Sequence, residues 1–176
     1  LFNTKKIKIV LVFTLSISGQ LFADGESELL EAAKESLTAV EIILKKHHNI
    51  NINYQETGTL ISALHVATHY EKQDIILLLL TEGARINVQD KYGFTPLHMA
   101  VTQRNLPLVK TLIEHGADKS VITQNRETPL DLALINDYKK ISCYLRSIGA
   151  PKCCYDTRQA IADDEYGIRE GGCILQ

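Results

Sequence analysis

The 176-residue chain predicts an all-α solenoid of stacked helix pairs, and three recurrences at one period predict it. The phrase Ser62-Ala63-Leu64-His65-Val66-Ala67 returns as Thr95-Pro96-Leu97-His98-Met99-Ala100 and again as Thr128-Pro129-Leu130-Asp131-Leu132-Ala133, each step being 33 residues. Gly83-Ala84, Gly116-Ala117 and Gly149-Ala150 keep the same spacing, and so do the apolar pairs Leu79-Leu80 and Leu112-Ile113 ahead of the first two. A unit this short cannot bury its own apolar face, so like units must stack into one continuous core.

The T-P-L-H-x-A head at this period resembles the ankyrin-repeat family, and the resemblance supplies the geometry of each element. Thr-Pro opens the first helix of a repeat, where the fixed φ of Pro96 and Pro129 does no harm and the hydroxyl caps orphan N–H groups. Ala63 stands where the other heads carry proline, which softens that helix start. Leu64, Leu97 and Leu130 are assigned to the core between helices, and Ala67, Ala100 and Ala133 to close helix contact. Gly83, Gly116 and Gly149 end the second helices in a left-handed turn. From each such glycine a short β-hairpin loop, for example Arg85–Phe94, leads to the next head.

The expected repeats cover about 26–53, 57–89, 90–122 and 123–150, within one domain over 24–152. The first copy lacks the head and is carried by Leu29-Leu30-Glu31-Ala32-Ala33-Lys34, Val40, Ile42-Ile43-Leu44 and Asn49-Ile50-Asn51. Glu28, Glu31, Lys34 and Glu35 in this copy, and Arg146 in the last, are the polar surfaces expected of capping repeats. Two departures stand out. Arg126 occupies the turn position of Gly93, and three extra residues between Asn51 and Ser62 lengthen the first hairpin.

Residues 1–23 are a different kind of segment. Lys5, Lys6 and Lys8 precede a mostly apolar run from Ile9 to Phe22, and Ala23 sits at the expected cut, so a secretory signal peptide with a mature chain beginning at Asp24 is predicted. The run is interrupted by Thr14, Ser16, Ser18 and Gln20, short of the roughly 20 apolar residues of a membrane span. The chain is therefore expected to be exported, periplasmic or secreted. Its formal charge of −2 becomes −5 once three lysines and no acids are removed with residues 1–23, which opposes phosphate recognition and nucleic-acid binding.

Candidate chemistry is sparse. His65 and His69 share one helix at a zinc-compatible spacing, but Val66 stands where a zincin carries its glutamate. The resemblance instead gives His65 and His98 a structural part, tying neighbouring repeats together. His47-His48 sits at a helix end that welcomes a polar or positive group. Asp163-Asp164-Glu165 is a solvated run in a tail, 153–176, expected to be flexible. No phosphate loop or supported nucleophile set is present. A non-enzymatic, monomeric protein with no metal and no cofactor is expected.

The cysteines are Cys143, Cys153, Cys154 and Cys173. In an exported chain they permit disulfides, with Cys143, Cys153 and Cys154 suited to clipping the end of the last helix, while free thiols are the bland alternative. Cys173-Ile174-Leu175-Gln176 resembles a prenylation box, which would make the chain a membrane-associated effector in a host cell. Acidic flanks at Asp163, Asp164, Glu165 and Glu170 oppose such an anchor, so a membrane role is expected only if Cys173 is lipidated. A small metal- or thiol-dependent protein built on the late cysteines is the other alternative.

By the same resemblance the chain binds another protein through hairpin tips and the exposed face of the first helices. Carried over by position, that surface is Ile61, His69, Tyr70 and Gln89 in the second repeat. The third gives Lys91, Tyr92, Phe94, Thr102 and Gln103, and the fourth Gln124, Asn125, Glu127, Ile135 and Asn136. Tyr70, Tyr92 and Phe94 are the expected anchors, because aromatic side chains dominate interface energetics.

Overall fold

The computed structural model describes residues 25–47 and 49–152. Eight helices fill this span as four consecutive pairs: α1 (Gly25–Glu35) with α2 (Leu37–Lys46), α3 (Ala63–His69) with α4 (Gln73–Thr81), α5 (Pro96–Thr102) with α6 (Leu106–Glu114), and α7 (Pro129–Ile135) with α8 (Lys139–Ser147). The first helices stack in the order α1, α3, α5, α7, and each also packs on its own partner. No helix among the described residues is long and apolar enough to cross a membrane.

The sequence explains why these short helices start where they do. Thr95 and Thr128 are extended N-caps whose side chains accept the N–H of His98 and Asp131, with proline in the first turn. Ser62 caps α3 in the same reciprocal box with His65, although Ala63 replaces proline. Two of the three terminal glycines, Gly83 and Gly116, have φ of 90°. In the second and third helix pairs, which these glycines close, the N–H groups of Ala84 and Ala117 reach the carbonyls of Leu79 and Leu112 at 2.9 Å.

Leu64, Leu97 and Leu130 are buried as expected, and Ala67, Ala100 and Ala133 are fully enclosed where neighbouring first helices approach. Ile75, Ile76, Leu79, Leu108, Val109, Leu112, Ile141 and Leu145 close the same core from the second helices. The Pro107 ring sits in the first turn of α6, and the Asn105 side chain caps that helix through the N–H of Leu108 at 3.0 Å.

The connecting hairpins are held less by strand pairing than by side chains. Among the described residues the only β-pairing is an isolated antiparallel bridge between Gln55 and Ser62. Each turn closes on itself, as in Asp90 N–H to Phe94 O at 2.9 Å, and is tied to its neighbour, as in Lys91 N–H to Thr59 O at 3.0 Å and Gln124 N–H to Tyr92 O at 2.9 Å. Asn53 Oδ1 accepts the N–H of Arg85 at 2.6 Å, and Asn87 Oδ1 accepts that of Asp118 at 2.8 Å.

This pattern corrects the register expected in the first repeat. The stacking bonds match Asn53, not Asn51, to Asn87. The hairpin before Ser62 therefore carries one extra residue rather than three, and the other two fall at the end of α2. The backbone absorbs the extra residue with positive φ at Gly58 and Leu60, 97° and 55°.

Candidate functional site

The hairpin tips and the C-terminal ends of the first helices form the surface on which the expected binding residues lie. Tyr92 projects from the tip of its hairpin, 56% exposed, with Lys91 Nζ 4.8 Å from its ring centroid. Asp90 fixes this tip, its Oδ1 accepting the N–H groups of Tyr92 and Phe94 at 2.9 and 2.8 Å. Asn125 is exposed on the next tip, beside Gln124. On the helices, His69 and Tyr70 are exposed and meet edge to face at 5.2 Å, while Ile135 is 59% exposed and Asn136 lies beside it.

Other expected contact residues are placed in the wiring of the array. Phe94 is half-buried, packs on the core and meets the His98 ring edge-on at 5.8 Å, and Ile61 is likewise half-buried on the core. Gln89 Nε2 donates to Gly93 O and Ile122 O at 3.0 and 3.1 Å, and Gln124 Nε2 donates to Lys91 O at 2.6 Å. Gln103 Nε2 donates to His69 O at 2.7 Å, satisfying the last carbonyl of α3. Thr102 O accepts from the Tyr138 hydroxyl at 3.3 Å. Glu127 is half-buried, with its carbonyl turned to His98. Of these residues Gln89, Thr102 and Gln124 remain exposed, whereas Ile61, Phe94, Gln103 and Glu127 are half-buried.

The buried histidines are structural hubs. His65 Nε2 lies 3.0 Å from Phe94 O and His98 Nε2 3.3 Å from Glu127 O, each carbonyl belonging to the following hairpin. A carbonyl can only accept, so Nε2 carries the proton, and Nδ1 accepts from the N–H of Ser62 or Thr95 at 3.3 and 3.2 Å. Both rings are therefore neutral. Burial holds both below the ordinary histidine range, His98 down to about 4, against the raising effect of the carbonyl bonds. Asp131 takes the same place in the last repeat, its Oδ2 accepting the N–H and hydroxyl of Thr128 at 2.9 and 2.7 Å.

His69 lies apart from this arrangement, on the exposed end of α3. His47 Nε2 is 3.5 Å from Glu28 Oε2, while His48 lies outside the described residues. Among the described residues no group of three or more His, Cys, Asp or Glu side chains is arranged to hold a metal ion. Cys143 is disulfide-bonded. Cys153, Cys154, Cys173, the Asp163-Asp164-Glu165 run and residues 1–23 lie outside the described residues.

Sequence reasoning missed the glutamine and asparagine ladder through Asn53, Gln55, Asn87 and Gln89. The spacings that mark it, Asn53 to Asn87 and Gln55 to Gln89, are each 34 residues and are legible once the hairpin insertion is set at one residue.

A family model described as Ankyrin repeats (3 copies) matches residues 29–123 and 64–156. The chain is similar to the nuclear factor NF-kappa-B p105 subunit of Gallus gallus, 30% identical over 150 residues, covering 80% of this chain and 15% of that protein. It is similar to the ankyrin repeat and SOCS box protein 11 of Danio rerio, 39% identical over 108 residues, covering 60% of this chain and 35% of that protein. The putative ankyrin repeat protein FPV031 of Fowlpox virus (strain NVSL) is 35% identical over 115 residues, covering 64% of this chain and 33% of its own. The chain thus spans about a third or less of the length of these relatives.

Proposed function

Because the chain belongs to the ankyrin-repeat family, whose arrays generally act as non-enzymatic protein-binding modules, we propose that it is an exported scaffold that grips a partner protein through its hairpin tips and the exposed face of its first helices. The observation that carries this reading is Tyr92. A large aromatic side chain is 56% exposed, yet its backbone is fixed by Asp90 and by the bond from Gln124 N–H. A side chain presented by a rigid tip loses little entropy on binding, which suits an anchor. Lys91 and Asn125 are exposed on the hairpin tips, and His69, Tyr70, Ile135 and Asn136 are exposed at the C-terminal ends of the first helices.

Export rests on the order of residues in 1–23, a basic start, an apolar run and a small residue at the cut. Partner capture from the native cell envelope and medium, compared between the unaltered chain and its Tyr92→Ala and Tyr70→Ala variants, tests the binding surface. Loss of about 2 kcal/mol in affinity with an unchanged melting midpoint is expected; normal capture by both variants removes these tyrosines from the interface. N-terminal sequencing of the natural protein tests export, and a soluble form that keeps residues 1–23 would overturn it.

A further inference from the structure

The array is electrically polarised along its axis. Residues 25–89 carry nine acids against five bases, whereas residues 90–152 carry nine bases against six acids, so a net −4 faces a net +3. Part of this polarity lies on the edge formed by the turns inside each helix pair. A hairpin joins the second helix of one repeat to the first helix of the next, while these turns join the two helices of one repeat. In antiparallel pairs the two sets therefore occupy opposite ends, so this edge is separate from the hairpin tips and adjoins the C-terminal ends of the first helices.

On the edge, the turns of repeats 2, 3 and 4 place Glu71, Arg104 and Asp137 at equivalent positions, all with positive φ of 54°, 58° and 53°. Glycine adopts that conformation without strain, so a charged residue there is held at a conformational cost and sends its side chain outward. In repeats 1 and 2 a cleft of ≈ 410 Å³ beside these turns is lined by Glu35, Glu71 and Asp74 with Lys72. Repeats 3 and 4 are the reverse. Arg104 Cζ lies 5.8 Å from the Tyr138 ring centroid and Lys110 Nζ 5.3 Å from that of Tyr144. Lys139 and Lys140 are exposed beside them, and Lys140 shares the α8 face of Tyr144 one turn nearer the edge.

We propose that the turn edge of repeats 3 and 4, built on Arg104, Lys139 and Lys140 with the Tyr138 ring, binds an acidic segment of a partner protein. A guanidinium drawn toward an aromatic ring loses part of its freedom before binding, and its five-donor fork can take a carboxylate through two parallel bonds. The Lys139 contact with Asp137, 4.0 Å between side chains 80% exposed, is too weak to compete with an incoming carboxylate. A short acidic segment matches this patch. A nucleic acid continuing along the edge would instead meet Glu35, Glu71 and Asp74.

The test uses the full chain and, as probe, a fluorescent ten-residue peptide rich in Glu and Asp, followed by anisotropy. Binding is expected that weakens severalfold between about 50 and about 200 mM salt and at least about fivefold in K139Q/K140Q and in Arg104→Gln. Lys45→Gln, an exposed lysine on α2, should leave it unchanged, and thermal midpoints of all variants confirm that the array is folded. Absence of binding at low salt, equal binding by K139Q/K140Q, or tighter binding of a single- or double-stranded oligonucleotide than of the peptide would each overturn the proposal. Because Tyr92 and Tyr70 take no part in it, its failure leaves the hairpin reading standing, and loss of partner capture in Tyr92→Ala leaves this one standing.

Discussion

His98 Nε2 stands 3.3 Å from the carbonyl oxygen of Glu127, across the boundary between the third and fourth repeats. The same ring holds the start of its own helix through Nδ1 and the Thr95 hydroxyl, 2.8 Å apart. One neutral imidazole thus fixes a helix cap and the next hairpin together, and His65 repeats the arrangement with Ser62 and Phe94. Because stability in a linear array depends on the interfaces between neighbours, these rings couple the repeats into one cooperative unit.

The coupling makes stability depend on pH. Burial lowers the pKa of His98 from 6.5 to about 4 and lowers that of His65 as well, so below pH 6.5 the unfolded chain binds protons that the folded chain refuses. Stability is complete above about 6.5 and falls as pH drops toward 4, by about 2 kcal/mol from His98 alone at pH 5. Urea unfolding between pH 7.5 and 4.5 reads this directly. His98→Gln, which keeps an amide donor and acceptor but cannot titrate in this range, should flatten the profile. An unaltered slope in that variant would assign the dependence to other groups.

Gly93 should tolerate alanine far less well than Gly116. Both have positive φ, 81° and 90°, and so share the conformational penalty. A Cβ on Gly93 would also lie 2.9 Å from Gln124 N and 3.0 Å from Thr123 Cα, backbone atoms that cannot swing aside, whereas nothing lies within 4 Å at Gly116. Gly93→Ala is expected to lower stability by about 2 kcal/mol more than Gly116→Ala, since the hairpins must separate. Equal midpoints for the two variants would mean that the stacked hairpins yield freely.

Leu97 tests the core register. It is 1% exposed between the first helices. Leu97→Asp buries a carboxylate without a partner and should cost several kcal/mol, enough to melt the array. Native helical circular dichroism with an unchanged midpoint would contradict the packing described above.

The parts of this fold written in backbone chemistry were legible in the sequence. Pro96 and Gly83 announce a helix start and a helix end whatever surrounds them, so the pairs over residues 63–150 follow from spacing. The first repeat was less so: without a head phrase or a terminal glycine, nothing local distinguished Asn51 from Asn53, and the choice is made by which carboxamide reaches Arg85. The candidate surface was legible only as positions. Tyr92 and Phe94 are two residues apart in the same hairpin, yet one points to solvent and the other to the core. That difference is set by what each side chain meets: Phe94 rests on the edge of His98 in its own repeat while its carbonyl is held by His65 of the preceding one, and Tyr92 meets no such surface.

Glu71 offers a way to stabilise the array and at the same time to identify the strain in its turn. Its φ is 54°, its side chain is exposed, and its backbone bonds, N–H to Thr68 O at 3.0 Å and carbonyl to Gln73 N–H at 3.1 Å, need no side chain. A non-glycine residue in this region costs about 1–2 kcal/mol, and glycine's greater freedom in the unfolded chain returns about 0.5–1 of that. Glu71→Gly should therefore gain about 0.5–1 kcal/mol, a few degrees in melting midpoint. Glu71→Ala separates the causes, because it removes the charge near Glu35 and Asp74 but keeps the strained backbone. Little gain in Glu71→Ala is expected at low salt. A gain as large as that of Glu71→Gly, vanishing as salt is raised, would show that carboxylate repulsion along this edge, not the left-handed turn, limits the stability of the second repeat.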